Sequence, residues 1–262
     1  GFTASELERE KTNALRGIER ANTNRANRRS SAYASEYIRA FLDGESIPGI
    51  EYEYALYQRF IPEITLEEVN LVGQGWIHDA NRVVLVTGPD KEGVTMPGEE
   101  ALSAVIDARD SAEITAYVDT VSGRPLLAVV PDGSRIVGTE TRSYEITEWT
   151  LANGIRVVLK PTDYSDDQVV FRAFSPGGTS LAADEDFVPA TTAASLIANG
   201  GVGEFNAIDL QKSLAGKVAN VRPFISTFEE GVSGSASPED LETMFQLIYL
   251  RFTAPRADDT FF

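Results

Sequence analysis

No cysteine occurs among the 262 residues. That absence removes disulfides, iron–sulfur clusters, thiolate zinc sites and cysteine nucleophiles together, and it leaves the compartment open. Histidine is almost as scarce, with His78 the single one. A zinc site built from this chain would draw on one imidazole and carboxylates, so a two-histidine catalytic site cannot form within it. Positive charge is also in short supply: 23 Lys+Arg face 40 Asp+Glu, a net charge of −17 at pH 7. A nucleic-acid binder needs a basic face for phosphates, and docking on an anionic membrane needs the same, so both classes are excluded. No apolar run approaches the ~18 residues of a membrane-spanning helix. The first residue is Gly1, with neither methionine nor a basic-then-apolar leader. The chain therefore reads as an excised segment, any signal peptide lying upstream.

Otherwise the chain has an ordinary globular balance, 42% hydrophobic and 24% charged. At ~150 residues per domain the length amounts to between one and two domains, enough to bury a core. Residues 3–43 read as one long helix: Thr3 and Glu6 have capping-box spacing, apolar residues recur at helical intervals, and Gly44 is the stop. Arg16, Arg20, Arg25, Arg28 and Arg29 make part of it basic, either as a solvated face or as a contact for acidic groups of a partner or substrate. A second helix is expected over 51–60, with Tyr54, Tyr57 and Phe60 spaced for packing, and a third over 66–79, capped by Thr65 and Glu68. The β-branched run Arg82–Thr87, closed by Gly88-Pro89, predicts a buried strand. Glycine and proline then punctuate 92–142, which reads as a connector carrying short helices near 98–108 and 111–119.

Beyond it the pattern is β-rich. Runs at 144–151 and 155–160 flank Asn153-Gly154, a hairpin signal that predicts a type I′ turn. A strand over 168–174 runs into Ser175-Pro176-Gly177-Gly178. Helices over 185–199 and 206–216, strands over 218–227 and 230–235, and a helix opened by Ser237-Pro238 come next. That last helix is expected to bury Leu241, Met244, Phe245, Ile248 and Phe252. The order is that of an α+β fold, antiparallel sheets packed on helices.

Three motifs compete with plain turn and surface chemistry. The glycine-rich segment 175–180 follows a strand but has no lysine in phosphate-loop spacing, and 199–203 sits between helices, so both read as turns. His78, with Asp79 or Asp90 as helper, has no serine on a strand-to-helix elbow to activate and reads as a helix cap or surface group. Asp184, Glu185 and Asp186 lack the spacing of a calcium loop and read as charge at a helix N-terminus.

The second half resembles the pitrilysin/insulinase-type zinc metallopeptidases, the inverted-motif group that includes mitochondrial processing peptidase. Trp149–Lys160 is similar to the opening hairpin of such a domain, and Val169–Ser175 with Gly177-Gly178 to the strand and glycine pair before its active helix. Leu214–Lys217, Phe228–Ser237 and Asp240–Leu250 with Thr253–Arg256 resemble the segments C-terminal to that helix. Residues 1–91 resemble the closing half of another domain of the family, through the opening helix, Ile61–Val69 and a strand over Asn81–Val86. The resemblance covers most of the chain and implies three parts: 1–91, the C-terminal half of one peptidase-like domain; 92–142, a connector; and 143–262, the N-terminal half of a second, inactive one. Pitrilysin-like half-domains of the LuxS/processing-peptidase type are the fold it implies.

In the family, a His-x-x-Glu-His helix after the glycine pair supplies two zinc ligands and a general base. The matching positions here are Thr191, Ala194 and Ser195, and 185–199 contains no histidine. The resemblance therefore implies no catalytic and no metal residue in this chain, with zinc expected in the upstream part of a parent protease. The function implied is a non-catalytic segment of a zinc metallopeptidase, part of the wall and hinge of a clamshell that closes on peptides. The rival is a scaffold subunit whose whole parent has lost catalysis, and an intact motif upstream discriminates the two. The acidic balance suggests steering of basic peptides. Expected partners are a peptide substrate, through the whole parent, and a second copy, pairing through unpaired sheet edges. A periplasmic or extracytoplasmic setting is suspected.

Overall fold

The structure is a computed structural model. It describes residues 1–256 except 77–79, 82, 109–112, 114, 116 and 122. By internal contacts the chain falls into two compact units, one of Gly1–Leu7 with Ile64–Thr120, the other of Glu8–Glu63 with Val121 onward.

Helix α1 (Ala4–Thr23) has only its first turn in the first unit, and there Thr3 caps it: the Thr3 hydroxyl accepts from the Glu6 N–H at 3.4 Å, and the Glu6 carboxylate accepts from the Thr3 N–H at 2.8 Å. Helix α4 (Leu66–Gln74) starts with the same reciprocal box between Thr65 and Glu68. These bonds to the Glu68 carboxylate, the backbone one foremost, hold it below the usual range. Helix α5 (Glu99–Ala108) stands where the connector's first helix was expected. Of the second, the described residues 113, 115 and 117–119 carry no helix. The expected strand at Arg82–Thr87 is not formed: Val83–Thr87 joins no sheet, and Val83 and Leu85 are 92% and 84% exposed. A β-branched run becomes a strand only where another strand supplies hydrogen-bonding groups, and none of the described strands does so.

The second unit holds the rest. The long helix expected over 3–43 is broken. After α1, residues Arg25–Asn27 make a 3₁₀ turn, and α2 (Ser30–Asp43) comes after it, closed by Gly44 in the left-handed region at φ 71°. The break falls at Asn22-Thr-Asn-Arg-Ala-Asn27. There the Asn24 side chain donates to the Arg20 carbonyl at 3.2 Å, the kind of local bond by which asparagine competes with helix continuation. Helix α3 (Ile50–Phe60) forms as expected, but Tyr57 and Phe60 are exposed and only Tyr54 is half-buried.

Among the described residues, six strands make two antiparallel three-stranded sheets. The first has the order β1 (Ile136–Arg142), β2 (Ile146–Leu151), β3 (Arg156–Leu159). Strand β1 lies within the stretch read as connector; its Gly-Thr-Glu-Thr centre carries no apolar alternation to announce it. The second sheet has the order β4 (Val169–Pro176), β6 (Glu229–Ala236), β5 (Ala219–Ile225). Helices α6 (Phe187–Asn199), α7 (Ala207–Ser213) and α8 (Leu241–Thr253) complete the unit. The core joins Val221, Val232 and Ala236 of the second sheet to Met244, Leu247 and Leu250 of α8, with Val202, Phe205 and Leu210. The buried stripe of α8 is thus 244, 247 and 250; Phe245 and Phe252, expected inside, are mostly exposed. The mixed helical and antiparallel architecture is the expected α+β fold.

Candidate functional site

Helix α6 carries Thr191, Ala194 and Ser195, the three positions singled out from the sequence. Its approach is fixed by backbone. The Gly177, Thr179 and Ser180 N–H groups donate to the carbonyls of Phe228, Ser226 and Thr227, at 3.0, 2.9 and 2.9 Å, lacing the entering loop to the β5–β6 turn. Only glycine fits at 178: φ is 80°, and a Cβ would run into the carbonyl oxygens of Ser226 and Thr227. At Gly177 a Cβ would meet the Glu230 carboxyl carbon at 2.9 Å. Gly178 is therefore required by backbone, whereas at Gly177 the carboxylate of Glu230 could swing aside. Asp184–Asp186 form a 3₁₀ turn just ahead of α6.

The far end of α6 is fixed from α8. Arg251 donates to the carbonyls of Ile197 at 2.6 Å, Gly201 at 3.0 Å and Ala198 at 3.0 Å, satisfying acceptors that a helix C-terminus leaves open. Burial of this guanidinium lowers its pKa from the ordinary value.

Between these anchors, Thr191 and Ser195 are exposed and one helical turn apart, and Ala194 is half-buried. Thr191 Oγ1 donates to the Val188 carbonyl at 2.9 Å, and Ser195 Oγ to the Thr192 carbonyl at 2.8 Å. Both hydroxyls are thus spent on their own helix, and the third position presents a methyl. Zinc requires imidazole, thiolate or carboxylate ligands, so this set does not fit the metal. Among the described residues no group of three His, Asp or Glu converges as a metal site. His78 and Asp79 lie outside the described residues.

At the hairpin, Gly154 has φ 87°, whereas Asn153 is not in the positive-φ region. The type I′ turn is therefore replaced by a three-residue loop. Gly154 N–H donates to the Leu151 carbonyl and Leu151 N–H to the Ile155 carbonyl, both at 2.9 Å, the pattern of a turn ending in a left-handed glycine. The segment 199–203 is likewise a turn, with Gly201 at φ 89°.

The most heavily charged place was not anticipated. Asp240, at the start of α8, is 3% exposed. Its Oδ2 accepts from the Val218 N–H at 2.8 Å and the Ser237 hydroxyl at 2.9 Å, and Lys217 Nζ lies 3.1 Å from Oδ1. Burial opposes its ionisation, but these three partners outweigh that and hold its pKa below the ordinary carboxylate value. Asp167 pairs with Arg20 at 3.0 Å and Arg16 at 3.5 Å, and Arg16 also reaches Glu19 at 2.8 Å. Arg25 pairs with Glu51 at 3.0 Å and Arg28 with Glu36 at 2.7 Å. The arginines expected to meet solvent or a partner's acids are therefore largely matched by acids of this same chain. The Arg16–Glu19 pair has the i,i+3 spacing of a helix and was legible in the sequence, whereas nothing in the sequence connects Asp167 to Arg16 and Arg20.

No protein-family model matches the chain. It is 26% identical over 254 residues to "Zinc protease PQQL-like" of Arabidopsis thaliana, covering 97% of this chain and 24% of that protein. It is 22% identical over 269 residues to "Probable zinc protease PqqL" of Haemophilus influenzae, covering 99% of this chain and 28% of that protein. The crystal structure of the periplasmic protease PqqL from Escherichia coli superposes with a TM-score of 0.52 at 22% identity, over 99% of this chain and 29% of that one, and shares its fold. The chain thus spans about a quarter of the length of the relatives it matches. The resemblance to zinc proteases read from the sequence holds: relatives named as zinc proteases align with nearly the whole chain. No described helix is long and apolar enough to cross a membrane.

Proposed function

We propose that this chain is a non-catalytic part of a zinc metallopeptidase, with the end of one peptidase-like domain in 1–91, a connector in 92–142 and the opening half of an inactive one in 143–262. Its part is to shape the wall and hinge against which a peptide is held; zinc and the general base belong to another region of the parent. One observation supports the reading: at the α6 positions matched by sequence to the family's motif, Thr191 and Ser195 donate to their own backbone and Ala194 offers a methyl. A periplasmic or other extracytoplasmic setting goes with the reading, supported by the periplasmic structural relative.

The test is elemental. After incubation with zinc and dialysis, inductively coupled plasma analysis of this chain is expected to find metal well below one equivalent, and an assay on unfolded peptides to find no cleavage. Stoichiometric zinc, or its loss on replacing Thr191 or Ser195, overturns the reading.

A further inference from the structure

The second sheet has one covered and one open face. Strand register places Phe171, Gly234 and Val221 in one row on the covered side, together with the buried Val232 and Ala236. The opposite face presents the alternate rows. Arg172, Ser233 and Arg222 are mutual neighbours across the three strands, and the adjacent row is Phe174, Gly231 and Phe224. Strand spacing of ~4.8 Å sets the two arginines, on the two outer strands, about 10 Å apart, and rows two residues apart lie ~6.8 Å apart. Gly231 contributes no side chain between the rings, and the Arg172 guanidinium reaches both of them.

The two arginines are not equivalent. Arg172 is engaged: its guanidinium carbon lies 5.4 Å from the Phe174 ring centroid and 4.9 Å from that of Phe224, while Nη2 pairs with Glu229 at 2.6 Å. Those distances are within reach of cation–π attraction. Arg222 is exposed and has no side-chain partner among the described residues. Phe174 is 61% exposed. In a chain of net charge −17, an open face carrying an unpaired guanidinium beside two aromatic rings is a local reversal of sign.

We infer that this face binds an extended acidic peptide, with a carboxylate on Arg222 and an aromatic or apolar side chain two positions away over Phe174 and Phe224. The match is one of spacing and charge. In an extended segment residues i and i+2 share a face at ~6.8 Å, the separation of the arginine and phenylalanine rows. A carboxylate forms charge-assisted, bidentate bonds with a guanidinium. The inference rests on the reading of the chain as a peptide-holding wall, and at this face it reverses the basic-peptide preference suggested by the net charge, because the local patch carries the opposite sign.

The test is fluorescence anisotropy of the 262-residue chain with labelled SESFSES and SKSFSKS peptides at low and physiological salt. The expected result is binding of the acidic peptide, weakened by salt and at least fivefold tighter than that of the lysine peptide. R222E should abolish the preference, and F174A should weaken both peptides; thermal melts check that each variant folds. Equal binding of the two peptides, preference for the lysine peptide, no binding of the acidic one, or a preference that R222E leaves unchanged overturns the inference. Self-association that R222E abolishes assigns the face to a second copy and overturns it as well. Zinc uptake by the same preparation would sink the wall reading separately, so the two failures are distinguishable.

Discussion

Asp240 shows how one carboxylate ties distant parts of a unit together. It is buried with Ser237, takes the Val218 N–H and the Lys217 ammonium, and sits at the start of α8 where the helix dipole favours negative charge. Its native pKa is depressed, so its contribution is fully present above the unfolded value of ~3.9 and is lost as pH falls through the lower folded value. D240N is expected to cost about 2 kcal/mol at pH 7, the worth of charge-assisted hydrogen bonds. Urea midpoints at pH 7 and pH 3 should show the gap between variant and wild type closing on acidification; a gap of constant size would show that the charge is not what matters. At Gly178 and Gly154, by contrast, backbone conformation dictates the residue, and turn chemistry announces it in advance.

At the scale of elements, starts and stops obey local rules, whereas faces and breaks do not. Both capping boxes, the Ser237 cap and the Gly44 stop lie where spacing places them. The apolar stripe of α8 is rotated from the expected one, because leucines at 247 and 250 and phenylalanines at 245 and 252 are equally hydrophobic to a periodicity argument. The sheet selects among them by shape: Met244 and Leu247 meet Val221 and Val232, while Phe245 stacks edge-on with Phe171 at 5.8 Å. M244A should therefore cost about 3 kcal/mol through the cavity it leaves, whereas F252A, at an exposed position, should stay within about 0.5 kcal/mol. Chemical denaturation of the pair measures it; equal losses would mean that α8 packs by its other stripe.

For the molecule as a whole, both sheets have three strands and end in open edges: β1 and β3 in one, β4 and β5 in the other. An unpaired edge is a template for another strand. We propose that two copies pair through such an edge, and that sedimentation equilibrium of the chain finds a concentration-dependent dimer. A monomer over the accessible range, with no strand exchange, removes that proposal and leaves the edges to other regions of the parent. The acidity spread over the molecule and the cationic face of the second sheet act at different ranges. The former is a field screened within about 8 Å at physiological salt, the latter a contact.

By itself the sequence determined what the chain cannot be and where its turns fall. Missing cysteines, a lone histidine and excess acid act through chemistry that needs no fold, and caps and left-handed glycines act within a few residues of one another. The likeness to zinc metallopeptidases was carried in the same way, by short runs whose order along the chain is itself sequence. The tertiary structure alone decided that Val83–Thr87, read as most of a strand, joins no sheet of the described residues, and that β1 joins the first sheet. It also decided that Arg16 and Arg20 meet Asp167, and that Arg172 and Arg222 share an open face with Phe174 and Phe224. Each of those outcomes depends on which groups far apart in the chain are brought within a few ångströms, and neither periodicity nor propensity encodes that distance.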